Sequence, residues 1–364
     1  MKSISGLVCS LKKSLGWNKA RCDCFARMLL GLIAVKTVNL QEVATGMPSS
    51  ASLASRYRRL QRFFALFQID FVSVSRWIFF LFFSNTKKYY VIIDRTDWCW
   101  GKKKINIFML SIAYEGLAIP ICWQLLNKKG SSNFGEQKAL IDQFTGIFGI
   151  KNIEALLADR EFANGNFFDF LTKQNIPFCI RIKDGSIVRI RKTKIFKVEK
   201  IFNDLNPKTK KTFGAAVEIF DVKVFLSGAR SEKGELMVVA TNRPMKEAIA
   251  VYLRRWEIEN LFQALKGRGF RFEETHLTDQ ERISKLIVLL AVGFAWAHKI
   301  GEWLAQQKPI VFKKFKDHQT PQNTFFRYGL DNMRDIILHV YEKVKMFKEI
   351  LGFIVPPPLQ EAFL

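Results

Sequence analysis

Residues 89–126 contain three apolar runs, YYVIID (89–94), KINIFMLSIAYEG (104–116) and LAIPICWQLL (117–126), separated by Gly101 to Lys104 and by Glu115-Gly116. The runs are rich in β-branched and aromatic residues and the breaks in turn formers, so the stretch reads as three successive strands joined by tight turns. Helical spacing resumes over 135–148, followed by a fourth strand in IEALLADREF (153–162), a helix over 166–174 and a fifth strand in IPFCIRIK (176–183). Three antiparallel strands followed by β-α-β alternation describe an α/β fold, a mixed sheet with helices on its faces. That order matches the ribonuclease H-like topology.

Working outward, the apolar residues Phe25, Met28, Leu29, Leu32 and Ile33 recur at helical spacing between Trp17 and Val35. A break at 37–39 precedes a short helix at 40–44, and a third helix over about 50–67 carries Arg56, Arg58, Arg59 and Arg62 in SRYRRLQRFF. Three short helices ending in an arginine-rich one suit a helix-turn-helix-like DNA-binding unit. A small helical bundle with a solvated basic face is the competing reading. Downstream of the fifth strand, IVRIRKTKIFKVEKIF and AAVEIFDVKVFLSGA suggest a β-rich insertion, and ELMVVATN (235–242) a last core strand. From 279 to about 351 the chain reads as helices, with regular structure ending at Pro356 to Pro358. The expected organisation is an N-terminal helical DNA-binding region at 1–86, an α/β core at 87–183 and 236–278, the insertion at 184–235 and a C-terminal helical region at 279–364.

The 364 residues carry 57 Lys plus Arg against 33 Asp plus Glu, a net charge of +24, which favours polyanionic partners and nucleic acid first. A membrane surface competes for the same charge. The best uncharged run, Ile287 to Ala297, is shorter than the roughly 20 residues that span a bilayer, so no transmembrane helix is expected. Lys12 and Lys13 interrupt the N-terminal apolar stretch before a signal core forms, so the protein is expected in the cytoplasm. Cys22 and Cys24 lack zinc-site spacing, and the four His form no metal pair. A catalytic metal would therefore be held by carboxylates, a preference of hard cations such as magnesium or manganese.

Candidate acids follow from the strands. Asp94 ends YYVIID and Asp159 ends IEALLAD, placing both on the rim of the sheet where chemistry is commonly found. Each is followed by Arg; turn capping or a surface ion pair would explain either acid alone. Asp97 in DRTDW is the alternative to Asp94 but faces the other side of a regular strand, and Glu161, two residues beyond Asp159, could support the same site. In YLRRWEIENLFQALK (252–266), Tyr252, Arg255, Glu259 and Lys266 would fall within about 60° of one another on a single α-helix. Glu257 would point about 160° away from Glu259. Three carboxylates from two strands and a helix can hold two divalent cations for in-line phosphoryl transfer. Arg255 and Lys266 can grip phosphate, and Tyr252 can donate a hydrogen bond. An ordinary i,i+4 pair between Arg255 and Glu259 would explain only two of the four.

The spacing Y-(2)-R-(3)-E-(6)-K, formed by Tyr252, Arg255, Glu259 and Lys266, resembles the signature of IS4-family insertion-sequence transposases. Asp94 in DRTDW and Asp159 in LADREF look like the rest of their DDE triad. SRYRRLQRFF, GKKKINIFML, IPICWQLLNKKG and FRYGLD resemble further segments of these enzymes. In such relatives Asn often stands where this chain has Asp97, which favours Asp94 as the ligand. The resemblance implies a ribonuclease H-like core interrupted by a β-rich insertion in the 100-residue interval from Asp159 to Glu259. It also implies two magnesium (or manganese) ions, with Asp94 bridging both and Asp159 and Glu259 each completing one. The implied activity is cleavage of double-stranded DNA at the terminal inverted repeats of the element and joining of the 3′-hydroxyls to target DNA, by a homodimer in a synaptic complex. Some relatives pass through a DNA hairpin and stack a flipped base on an aromatic residue of the insertion. Here Phe196, Phe202, Phe213, Phe220 and Phe225 are its aromatics, and strand alternation makes them core residues first. A metal-dependent nuclease on the same core and a non-catalytic DNA-binding regulator are the rival readings.

Overall fold

The computed structural model describes residues 2–190, 194–314 and 319–355. The expected stop at Pro356 to Pro358 lies outside them. Contacts gather the chain into two units, one made of 1–85, 98–105 and 262–364, the other of 86–97 and 106–261.

In chain order the first unit supplies α1 (Lys2–Leu15), α2 (Lys19–Val35), α3 (Leu40–Gly46), α4 (Leu53–Leu66) and α5 (Phe71–Phe83). Sequence periodicity places α2, α3 and α4 but does not assign α1, whose Leu7, Leu11 and Leu15 are buried at one-turn intervals despite Lys12 and Lys13. Short polar residues open four of these helices. Asn18, Asn39, Ser52 and Asp70 each accept a hydrogen bond from a first-turn backbone N–H, satisfying a donor with no partner inside the helix.

The sheet follows with β1 (Tyr89–Trp100), β2 (Lys103–Tyr114) and β3 (Leu117–Leu125), then α6 (Phe134–Phe148), β4 (Ile153–Ala158), α7 (Gly165–Lys173) and β5 (Phe178–Ile182). Glu115 and Gly116 both have positive φ, as a two-residue hairpin requires, and they join β2 to β3. The strands lie in the order β3-β2-β1-β4-β5, with β1, β4 and β5 mutually parallel and β3 antiparallel to β2. With α6 and α7 as crossovers, this is the ribonuclease H-like arrangement expected from the sequence. β2 and β3 are buried along nearly their whole length, so neither shows the in-out alternation of a strand with one wet face.

Next come β6 (Ile187–Ile190), β7 (Lys194–Lys197), β8 (Lys210–Thr212), β9 (Val217–Ile219), β10 (Val222–Arg230) and β11 (Leu236–Thr241). The 184–235 stretch is β-rich, and its strands continue the core sheet. β5 pairs antiparallel with β11, β11 with β10, and β10 with β9 and β8. Hydrogen bonding is thus unbroken from β3 to β7. Phe202 is fully buried here, and Phe220, at the β9–β10 turn, is 43% exposed.

The chain closes with α8 (Ala248–Leu253), α9 (Glu257–Leu265), α10 (Gln280–Gln307), β12 (Phe312–Lys314), β13 (Gln319–Pro321), α11 (Phe325–Leu338) and α12 (Val344–Ile350). At 28 residues α10 is long and apolar enough to cross a bilayer, but its apolar stretch is buried within the first unit. Small residues let α11 approach it closely. A Cβ on Gly329 would lie 1.8 Å from the Ala297 carbonyl oxygen, and one on Gly301 1.8 Å from that of Phe325.

Candidate active site

Asp94 follows the buried triplet Val91, Ile92 and Ile93 of β1. It is not at the strand's tip as the sequence suggests, because β1 runs on to Trp100. What ends there is the parallel ladder, whose last registered pair is Ile92 with Leu157. Asp94 therefore emerges where β1 and β4 part. Its Oδ1 accepts the Arg95 backbone N–H at 2.7 Å and its Oδ2 accepts Arg255 Nη1 at 2.9 Å. Burial pushes its carboxyl up to about 6, against the opposing pull of Arg255 and the Arg95 N–H.

Asp159 directly follows β4. Its side chain caps the short 3-10 turn Arg160–Phe162, accepting the Arg160 N–H at 2.7 Å, and it also accepts the Tyr252 hydroxyl at 3.2 Å. The capping role that might have explained this acid by itself is present, and it coexists with the link to Tyr252. Phe162 anchors the turn, fully buried and stacked on Phe108 of β2 with ring centroids 5.5 Å apart.

The segment 252–266 is not the single α-helix that its spacing predicts. α8 ends at Leu253, a 3-10 turn occupies Arg254–Trp256, and α9 starts at Glu257. A 3-10 turn advances about 120° per residue, which shifts the phase between Tyr252 and the residues after it. Tyr252, Arg255 and Glu259 still converge. Arg255, only 6% exposed, donates from Nη1 to Asp94 and from Nη2 to Glu259 Oε1 at 2.6 Å. One guanidinium therefore touches two of the three acids, and the neighbouring Tyr252 touches the third. Burial first of all raises the Tyr252 hydroxyl to about 12, keeping it a neutral donor.

Glu257 is separate from this cluster. It pairs with Arg254 at 2.9 Å and accepts the Tyr114 backbone N–H, and burial raises its carboxyl. Lys266 does not extend a stripe of α9: it follows the helix's last residue and belongs to the first unit, paired with Glu273 at 2.9 Å and 5.2 Å from the centre of the Trp98 ring.

Arg95 is a neighbour of the acids that its sequence surroundings do not single out. Its Nε and Nη2 each meet Glu161 at 2.8 Å, and its Nη1 reaches Asn106 Oδ1 and the Gly130 carbonyl. This paired contact fixes Glu161 as the partner of Arg95. The Asp-Arg repeat at 94–95 and 159–160 was the available signal, but nothing local shows which acid Arg95 meets. Asp97 is exposed.

Among the described residues, no three His, Cys, Asp or Glu side chains form a set that could hold a metal as they stand. Arg255 engages one oxygen each of Asp94 and Glu259. The donor set is nonetheless all oxygen, and two of its acids already converge on one positive charge. Carboxylate oxygens are the donors that a hard divalent cation takes.

The four arginines of α4 divide into two pairs. Arg56 donates to the carbonyls of Thr45 and Met47, and Arg59 pairs with Asp23 at 2.8 Å and reaches the Ala20 carbonyl. Both tie α4 to α2 and α3. Arg58 and Arg62, one turn apart, are exposed and line a groove.

The family model described as the transposase DDE domain matches residues 85–294, more than half of the chain. No curated protein matches. Among solved structures, the cryo-EM structure of a piggyBac transposase synaptic complex with hairpin DNA is similar with a TM-score of 0.46 and 9% identity, over 100% of this chain and 85% of that one.

Proposed function

The chain belongs to the transposase DDE-domain family, and from that premise we propose that it binds the terminal inverted repeats of its own element, cuts them, and joins the freed 3′-hydroxyls to target DNA. The observation that carries the site assignment is the linkage of Asp94, Asp159 and Glu259 through Arg255 and Tyr252. Membership of the IS4 group, with Tyr252, Arg255, Glu259 and Lys266 as its signature, is part of the same proposal.

Asp94, Asp159 and Glu259 would hold two divalent ions, magnesium or manganese, which when bound activate a water or hydroxyl and steady the leaving oxygen. The protein's own groups do the positioning. The Arg95 and Arg160 backbone N–H groups each orient one aspartate, and Tyr252 holds Asp159. Arg255 keeps Asp94 and Glu259 facing each other and can turn its planar donors to a phosphate that enters between them. Family precedent supports a homodimer acting on paired DNA ends in a cut-and-paste reaction, and the early Lys12 and Lys13 are the sequence basis for placing it in the cytoplasm.

Asp94→Asn, Asp159→Asn and Glu259→Gln should each reduce cleavage of a labelled element end by at least about a thousandfold, because an amide lacks the charge that the two cations need. Binding to the uncut end should persist in all three. Loss of binding together with cleavage would make the acids structural and overturn the site. A strand-transfer assay with pre-cut ends separates joining from hydrolysis, and nicking without a joined product would leave a nuclease.

A further inference from the structure

A groove of about 770 Å³ in the first unit lies between α4 and the segment that leads into α10. We propose that it holds an unpaired stretch of DNA, with arginines on its phosphates and the Trp100–His276 ring stack beneath its bases. The proposal rests on the transposase reading and adds a second nucleic-acid site, with its own chemistry, outside the acid cluster.

The lining has one sign of charge. Arg58, Arg62 and Arg282 face the groove, and no Asp or Glu does. Among the described residues their guanidinium groups have no carboxylate or hydrogen-bond acceptor. Arg56 and Arg59 of the same helix spend their donors inside the fold. Three free planar donors beside Tyr57 and Gln61 form a surface built for phosphate oxygens rather than for a neutral ligand.

The aromatic component separates a single strand from a duplex. His276 lines the groove and stacks on Trp100 at 4.4 Å between centroids and 22° between planes. Trp100 itself is 39% exposed. An open pair of stacked rings beside free arginines matches the combination that single-strand binders use, a basic track for the backbone and a platform for bases. A duplex keeps its bases stacked inside and offers mainly phosphates, so the rings would be idle against it. The walls are also fixed in place. Buried Lys285 of α10 donates to the Phe64 carbonyl of α4 at 3.0 Å, and Thr37 donates to Glu274 Oε2 at 2.8 Å. The helix and the segment that carry the arginines are thus joined before any ligand arrives.

The test uses the full chain in chelator, so that binding is read without cleavage, with fluorescence anisotropy of a labelled 12-nucleotide strand and of a hairpin duplex of the same sequence. The variant Arg58→Ala/Arg62→Ala/Arg282→Ala should weaken the strand about tenfold or more and flatten its salt dependence, a loss several times larger than on the duplex. Trp100→Ala/His276→Ala should weaken the normal strand but not an abasic strand of equal length. Equal losses on strand and duplex, no strand binding by the natural chain, indifference of the strand to both variants, or displacement by an acidic peptide of matched charge would each overturn the proposal. The Lys-for-Arg triple variant, with its thermal midpoint, guards against misfolding: restored strand binding supports the site, and a lost fold in both triple variants with ring variants indifferent overturns it. Magnesium-dependent cleavage is measured in parallel. A chain that binds the strand here but never cleaves DNA refutes the transposase reading alone, and one that cleaves but ignores these residues refutes the groove alone.

Discussion

Arg255 is the residue on which the acid cluster depends. It is nearly buried, and Asp94 beside it is held in a setting that penalises its charge. Removing one partner of a buried ion pair costs more than the pair contributes, because the other charge is left without compensation. Arg255→Ala should therefore lower unfolding stability by about 3 kcal/mol in urea titration, and adding Asp94→Asn should recover a substantial part of that loss. Additive losses in the double variant would show that Arg255 acts by packing rather than by neutralising Asp94. That Asp94, Asp159 and Glu259 share the neighbours Arg255 and Tyr252 was legible in part, from where apolar runs break and from residues three and four apart. The division of the α4 arginines was not. Arg56 and Arg59 differ from Arg58 and Arg62 only through Asp23 and the carbonyls of Ala20, Thr45 and Met47, partners brought near by folding.

At the scale of elements, the strands were readable because β-branched and aromatic runs punctuated by Gly and charged turns leave few alternatives. The end of β1 was not, since DRTDWCW lacks an apolar alternation and is held as strand by the neighbouring β2. The break between α8 and α9 escaped for a related reason: residues three and four apart lie close in both α and 3-10 geometry, so local spacing cannot choose between them. The contact of α10 with α11 makes a sharper claim. Gly329 has no room for a side chain against the Ala297 carbonyl, so Gly329→Val should destabilise the protein by about 3 kcal/mol or more. A urea midpoint that does not move would mean that the two helices separate at little cost.

For the whole molecule, the net charge of +24 sets a background attraction to any DNA. If six or more phosphates are neutralised, affinity for a random duplex should fall about a thousandfold or more between 50 and 200 mM salt. A shallow slope would mean that much of the positive charge faces away from DNA. Composition indicated this class of partner early, but it could not indicate how the 184–235 stretch joins the rest. Strand alternation there is visible, whereas its register with β11 depends on residues far away in sequence.

That register bears on how such a chain could be shortened. Excising the residues between β5 and β11 would strip β10 from its neighbour and leave a row of bare peptide groups along β11. Exposed edges of this kind recruit strands from other molecules. A trimmed relative would need a replacement cover, such as a proline, a bulge or a docked helix, before it could remain in solution as a separate particle.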